Sequence, residues 1–113
     1  MKTTLPLSHF AVTRSGDKGN HANLGVVARS EAAYKVLVAE LSEQRVQEFF
    51  AWTGTTRVER FLLPRVLALN FVLYDALAGG ASESLRLDTQ GKLLGTAASE
   101  IPLPIPADWQ DFV

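Results

Sequence analysis

A dense group of polar side chains follows the first apolar stretch of the chain. It reads Arg14-Ser15-Gly16-Asp17-Lys18-Gly19-Asn20-His21, and Asn23 comes two residues later. The two glycines allow backbone N–H groups to turn together towards an anion, and Lys18 adds positive charge. The run matches neither the phosphate-loop pattern nor the glycine fingerprint of dinucleotide sites. We therefore predict a general anion-binding loop here, with a long solvated turn as the alternative.

Within this run, His21 is the candidate for proton transfer, with Asp17 as the carboxylate that orients it or acts in its place. The ordinary pKa of imidazole, about 6.5, suits general acid or base work. The only other histidine is His9, and the chain has no cysteine. Because histidine clusters and thiolate sites are not available, we expect neither a metal nor a cofactor.

A second set of candidate site residues lies between residues 70 and 86. Asn70 falls in the most apolar stretch, where an amide must find a partner in the backbone or in a ligand. Gly79 and Gly80 can form the other wall of a pocket, and the guanidinium of Arg86 suits a carboxylate or phosphate. A helix cap and an exposed arginine are the alternatives. We expect this segment to meet residues 15–23 in one concave polar site.

The patterning of the first half predicts two strands and two helices around the loop. His9 to Arg14 and Asn23 to Arg29 have the composition and alternation of strands, so Ser15 to Asn20 is the loop between them. Ser30 and Ser42 stand where N-caps are expected, each ahead of apolar residues at helical spacing. The two helices should pack on one face of a sheet.

The second half predicts a third strand, a buried helix and a hairpin. Arg57 to Leu63 is a strand ended by Pro64, and Val66 to Leu77 is apolar almost all round, as in a buried helix. Ser84 to Asp88 and Lys92 to Ser99 flank a glycine-containing turn. The order of elements favours an α+β, ferredoxin-like sandwich with a mainly antiparallel sheet and helices on one face.

Prolines at every second position mark the C-terminal arm, from Ile101 to Pro106. Such a segment either adds to a sheet edge through Leu103 and Ile105 or forms a polyproline-like arm. We predict a homo-oligomer, most simply a dimer, that uses this arm and the sheet face opposite the helices. The alternative is an arm that folds back over its own sheet.

Composition limits the classes of function. The chain has 113 residues, 47% of them hydrophobic, with 11 basic and 12 acidic side chains. This size suits one domain, and a net charge of -1 leaves no excess positive charge for nucleic acid or an anionic membrane. No segment has the pattern of a secretory signal or a membrane span. We therefore expect a single cytoplasmic domain that binds neither nucleic acid nor a membrane.

The run from Arg14 to Asn20 leads into residues 22–29, and a second signature follows it. That signature comprises Ala68 to Leu73, Ala76 to Gly80, Ser84 to Asp88 and Gly91-Lys92. Together they resemble the C-terminal domain of the acyclic terpene utilisation protein A (AtuA) family. The resemblance implies a ferredoxin-like fold and a setting in bacterial breakdown of acyclic terpenes or branched acyl-coenzyme A. It also implies a stand-alone version of the family's smaller domain, with a catabolic partner protein.

Two functional hypotheses from different classes follow. In the first, a non-catalytic module holds an anionic small molecule, an acyl-coenzyme A or a carboxylate, or docks a partner protein. Its ligand-binding residues are Ser15, Gly16, Asp17, Lys18, Gly19, Asn20, Asn23, Asn70, Gly79, Gly80 and Arg86. In the second, a small hydratase, isomerase or hydrolase uses Asp17 or His21 as the acid or base. The first is favoured, because no nucleophile with an adjacent base is visible.

Overall fold

The computed structural model describes residues 3–18, 21–76 and 92–105. Its strands are β1 (Thr3–Pro6), β2 (Ala11–Lys18), β3 (His21–Ala28), β4 (Arg57–Leu63), β5 (Ala68–Tyr74) and β6 (Pro102–Ile105). Its α-helices are α1 (Glu31–Glu40), α2 (Glu43–Phe49) and α3 (Lys92–Ala98). Short 3-10 turns occupy Leu7–His9, Ala51–Thr53 and Pro64–Val66. The α+β, ferredoxin-like class predicted from the sequence is confirmed.

The main sheet has the strand order β2-β3-β5-β4, and each pair of neighbouring strands is antiparallel. One face is buried: Leu24 and Val26 of β3 and Leu69 and Phe71 of β5 join the hydrophobic core. Helices α1, α2 and α3 contact β3, β4 and β2 respectively. The helices therefore cover one face of the sheet, as predicted, and the opposite face is open in the part of the chain that the structure describes.

The predicted helix caps of α1 and α2 are confirmed. The Ser30 hydroxyl accepts a 3.0 Å hydrogen bond from the Ala33 N–H, and the Ser42 hydroxyl accepts one of 3.1 Å from Arg45. Each bond satisfies a backbone donor that the first helical turn leaves unpaired. After α2, Gly54 has a φ of 80° and ends the 3-10 turn, as a left-handed glycine readily does.

The helix predicted over Val66 to Leu77 is wrong, because Ala68–Tyr74 is the strand β5. Asn70 and Tyr74 are four residues apart, a spacing that suits one helix face and one strand face equally. The run is apolar almost throughout, so its period does not separate a buried helix from a central strand. The extended conformation is stabilised by pairing on both edges, because β5 lies between β3 and β4 and pairs with both.

The strand predicted over Lys92 to Ser99 is also wrong, because Lys92–Ala98 is the helix α3. Gly95 argues against a helix by intrinsic preference, at a cost of about 1 kcal/mol. It is retained because α3 lies against β2, where the Gly95 N–H donates to the Ser15 hydroxyl at 2.8 Å. The Thr13 hydroxyl donates to the Gly95 carbonyl at 2.9 Å. The partner strand predicted over Ser84 to Asp88 lies outside the described residues.

The loop predicted over Ser15 to Asn20 is shorter than expected. Ser15, Gly16, Asp17 and Lys18 continue β2, and their Cα atoms pair with those of Leu24, Asn23, Ala22 and His21. Cross-strand pairing thus extends to the tip of the hairpin and overrides the turn preference of glycine and aspartate. Gly19 and Asn20 lie outside the described residues.

The C-terminal arm pairs with the start of its own chain. Strand β6 runs antiparallel to β1, and the Leu7 N–H donates to the Ile101 carbonyl at 2.8 Å. Ile101 and Leu103 are fully buried in the core. For these residues the structure shows an extended strand and not a polyproline-like arm, and the arm folds back on its own chain. Residues from 106 onward lie outside the described part.

Candidate functional site

The open face of the sheet is built of rows of residues that pair across the four strands. Directly paired residues project to the same face, and alternate residues along a strand share it. The first row, named here the apolar row, consists of Val12, Val27, Ala68 and Leu63. The second row consists of Arg14, Gly25, Asn70 and Phe61, and the third of Gly16, Asn23, Val72 and Glu59.

Two glycines leave a depression on this face, named here the glycine hollow. A Cβ added to Gly16 would meet nothing within 4 Å, and one added to Gly25 would meet only the Arg14 carbonyl at 3.9 Å. The flanking residues on the same face are Arg14, Asn23 and Asn70. Among the described residues, no ion pair includes Arg14. The hollow therefore has a guanidinium without an ion-pair partner among the described residues, and two amides, around a floor without side chains.

His21 lies at the polar end of this face, beyond the third row. Its Nδ1 accepts a 3.0 Å hydrogen bond from the Asp75 N–H, and its ring contacts Tyr74 edge to face at 5.0 Å. Because Nδ1 accepts, the neutral ring carries its proton on Nε2 and donates from there. The carboxylate beside His21 is Asp75, with Oδ1 4.0 Å from Nδ1. Sequence reasoning assigned that position to Asp17, whose side chain lies outside the described part.

Asp75 is held in a left-handed conformation, with a φ of 62°. Aspartate tolerates this region better than most residues do. The Thr56 hydroxyl donates to Asp75 Oδ2 at 2.7 Å, and the neighbouring Thr55 hydroxyl donates to the Tyr74 carbonyl, also at 2.7 Å. These bonds hold the end of β5 against the start of β4, so the Asp75 N–H faces His21 Nδ1 in a defined geometry.

A second cluster at the polar end consists of Arg57, Glu59 and Tyr74. The Tyr74 hydroxyl donates to Glu59 Oε1 at 2.8 Å, and a guanidinium nitrogen of Arg57 lies 3.8 Å from the same oxygen. The Arg57 guanidinium also stacks over the Tyr74 ring, 4.2 Å from its centroid. This cluster was not predicted from the sequence, although Arg57 and Glu59 alternate in a correctly predicted strand. Tyr74 was not recognised as a neighbour of Arg57 and Glu59, because it fell in the helix predicted over Val66 to Leu77.

Ser15 lies on the covered face and not with Asn70. Its hydroxyl accepts from the Gly95 N–H of α3. An open pocket of about 380 Å³ lies beside it, lined by Thr13, Arg14, Ser15, Gly95, Thr96 and Ser99. Ser15 therefore has a structural partner, and it does not share one face with the other candidate residues.

The candidate residues of the second segment are only partly described. Asn70 lies in β5, directly opposite Gly25, and is half-buried on the open face. The structure brings Asn70, Asn23 and Gly16 to one face, at whose polar end His21 lies. Gly79, Gly80 and Arg86 lie outside the described residues, as do the side chains of Asp17 and Lys18. Within residues 3–18, 21–76 and 92–105, no group of three or more possible metal ligands occurs, and no helix there is long and apolar enough to cross a membrane.

The fold and the site define a small α+β sandwich with an antiparallel sheet, and its described candidate residues, Ser15 excepted, lie on the face that the helices leave open. The chain belongs to the AtuA ferredoxin-like domain family, whose model matches residues 5–104. The resemblance seen in the two sequence signatures is thereby confirmed. No curated protein and no solved structure matches the chain.

Proposed function

We propose that this domain is a non-catalytic module that binds a branched acyl anion, as a carboxylate or an acyl-coenzyme A, on the open face of its sheet. In this proposal it is an accessory subunit in the bacterial, cytoplasmic breakdown of acyclic terpenes or branched acyl-coenzyme A. The observation that carries the proposal is the division of this face into an apolar row and a donor-lined glycine hollow.

The polar half of the face suits an anion. Arg14 offers a guanidinium without a carboxylate partner among the described residues, and Asn23 and Asn70 offer amide donors. His21 adds an N–H at Nε2. The two acids nearby are already engaged, since Glu59 accepts from Tyr74 and Asp75 accepts from Thr56. Hydrogen bonds from charged donors contribute about 1.5–3 kcal/mol each, so Arg14 is the expected main contact.

The apolar row suits the hydrocarbon part of such a ligand. Val12 and Val27 are 50% and 47% exposed, and Leu63 is 47% exposed at the far edge of the same row. Covering apolar surface of this kind contributes about 25 cal/mol per Å². A branched acyl chain lying along this row would place its carboxylate or thioester one row away, at Arg14 and Asn70.

The enzyme hypothesis, with His21 as the base, is less well supported by this geometry. A general base needs a free lone pair within reach of the substrate. Nδ1 of His21 is engaged by the Asp75 N–H, and Nε2 carries the proton of the neutral ring. This tautomer favours donation to a bound anion. Loss of turnover in a His21→Gln variant, measured on an acyl-coenzyme A substrate, would revive the enzyme hypothesis.

Isothermal titration calorimetry with isovaleryl-coenzyme A and isovalerate tests the binding proposal. Arg14→Gln is expected to weaken binding at least about tenfold, the loss of one charged hydrogen bond. Lys18→Ala and added salt are expected to weaken it as well. Lys35→Gln is the matched control, because Lys35 is exposed on α1, on the other side of the sheet. Equal affinity of the Arg14→Gln, Lys35→Gln and parent proteins would contradict the proposal.

A further inference from the structure

The exposed apolar surface of the open face extends beyond the apolar row. Besides the apolar row, Phe61 in the second row is 44% exposed, and Val66 beyond the end of β4 is 63% exposed. The apolar row and Phe61 are contiguous, because they lie on adjacent rows of one sheet. Contiguous apolar patches on a soluble domain mark interaction surfaces.

We propose that a second copy of this chain packs face to face on the open sheet and turns the glycine hollow into an enclosed anion site between the two sheets. The inference deepens the proposed function, on which it rests for what fills the hollow. It goes beyond that function because each site would then take residues from both copies.

The strand order makes the face self-complementary. Consider a twofold axis that lies between the two sheets and runs parallel to the strands. It places each row opposite the same row of the second copy. Strand β2 then lies over β4 of the second copy, and β3 lies over β5 of the second copy. The apolar rows then meet each other, with Val12 facing Leu63 of the second copy. In the second row, Arg14 faces Phe61 of the second copy, a cation over an aromatic face. Gly25 faces Asn70 of the second copy, which closes the hollow.

The charges of the first two rows allow this contact. Arg14 is the one charged residue in these two rows, and it lies at an edge strand, so no like charges meet within them. Glu59 in the third row is neutralised by Arg57 on its own chain. A second copy therefore covers the apolar surface without burying an unpaired acid, which would be costly.

The size of the face sets the strength of the dimer. Four strands about 4.8 Å apart, with seven residues each in β4 and β5 rising about 3.3 Å per residue, make a face of about 440 Å². Two such faces bury about 900 Å², less than the roughly 1,200 Å² of a standard stable interface. We therefore expect a weak dimer that a ligand in the shared hollow strengthens by mass action.

Sedimentation velocity, from low to high micromolar protein with and without isovaleryl-coenzyme A, tests the inference. The expected result is a concentration-dependent dimer whose dissociation constant falls at least about tenfold with ligand. Leu63→Glu is expected to abolish the dimer, whereas Trp52→Glu leaves it intact. Trp52 is the matched control, because it has the same 47% exposure and lies in the 3-10 turn after α2, away from the open face. Circular dichroism melts of both variants check that each is folded.

Disulfide crosslinking gives a measurement that does not depend on a destabilising charge. The chain has no cysteine, so a Val12→Cys, Leu63→Cys double variant carries one at each end of the apolar row. Within one chain these positions are three strands apart, about 14 Å, too far for a disulfide. Oxidation is expected to give a covalent dimer, and a Val12→Cys, Trp52→Cys control is not.

The outcomes separate this inference from the proposed function. A chain that binds isovaleryl-coenzyme A but stays monomeric overturns the dimer and leaves the binding proposal standing. If Leu63→Glu disrupts a dimer but the protein binds no isovaleryl-coenzyme A, the result supports the interface and contradicts the ligand-binding proposal. A dimer that Leu63→Glu leaves intact, or an oxidised double variant that stays monomeric, overturns the face-to-face arrangement.

Discussion

Neighbouring residues of β2 serve different purposes because successive side chains point to opposite faces of the sheet. Arg14 is exposed on the open face, whereas the Ser15 hydroxyl accepts from the backbone of α3. Both belong to one polar run in the sequence, which suggested a single site. A strand divides such a run into two sets, and only one of these sets is available to a ligand.

Loss of the Ser15 hydroxyl is expected to destabilise the fold. In Ser15→Ala the buried Gly95 N–H loses the hydroxyl acceptor, and a hydrogen bond of this kind contributes about 0.5–1.5 kcal/mol. Urea unfolding measures the free energy of unfolding. Ser8→Ala, at an exposed serine, serves as the control and should change it by less than about 0.5 kcal/mol. Equal stability of both variants would show that the bond to α3 contributes nothing.

Two glycines are expected to respond to alanine in opposite ways. At Gly25 an added Cβ meets only the Arg14 carbonyl at 3.9 Å, so Gly25→Ala should stabilise by about 0.4–1 kcal/mol. At Gly95 it would lie 3.0 Å from the Ser15 hydroxyl and 3.2 Å from the Ser15 nitrogen. Gly95→Ala should therefore destabilise by about 1–3 kcal/mol, although alanine favours helices. Thermal and urea unfolding compare the two; a more stable Gly95→Ala would contradict the close contact of α3 with β2.

At the level of elements, sequence signals were reliable where local chemistry determines the structure. The serine caps of α1 and α2 and the bounds of β4 depend on short-range hydrogen bonds, propensity and a terminating proline. They were not reliable for β5 and α3, whose conformations are decided by strands and helices distant in sequence. The apolar content of β5 indicates that this segment is buried, but it does not indicate which strands lie beside it.

The two caps are expected to contribute measurably to stability. Ser30→Ala and Ser42→Ala should each lower the free energy of unfolding by about 1 kcal/mol, because each removes the acceptor of a first-turn N–H. Ser30→Asp keeps an acceptor at the same position and should stay within about 0.5 kcal/mol of the parent. Denaturant unfolding followed by circular dichroism checks all three variants. A Ser30→Asp protein as unstable as Ser30→Ala would show that the hydroxyl acts in another way.

At the level of the whole molecule, the two ends of the described chain close the core together. Strand β6 pairs with β1, and Leu103 and Ile101 lie in the same core cluster as Leu7 and Phe10. The alternating prolines do not prevent this pairing, because alternate residues of a strand direct their backbone groups to opposite edges. The pair adds Ile101 and Leu103 to the core, and the open face of the main sheet stays uncovered in the part of the chain that the structure describes.

Truncation of Leu103 tests the contribution of β6 to the core. Leu103→Ala should lower the free energy of unfolding by about 2–5 kcal/mol, since the side chain is fully buried. Pro102→Ala, one residue earlier and exposed, should cost less than about 1 kcal/mol. Chemical unfolding measures both variants. A small effect of Leu103→Ala, comparable to that of Pro102→Ala, would show that the strand is dispensable for the core.

The sequence by itself determined the α+β class, the caps, the strand from Arg57 to Leu63 and the family. It also singled out the polar run and Asn70, because these residue types in an apolar chain require a reason. The tertiary structure alone decided that Asn70 lies on a strand opposite Gly25, that Ser15 faces α3 and that Asp75 orients His21. The physical reason is that strand pairing joins residues far apart in the chain, and its register, not local composition, fixes which side chains share a face.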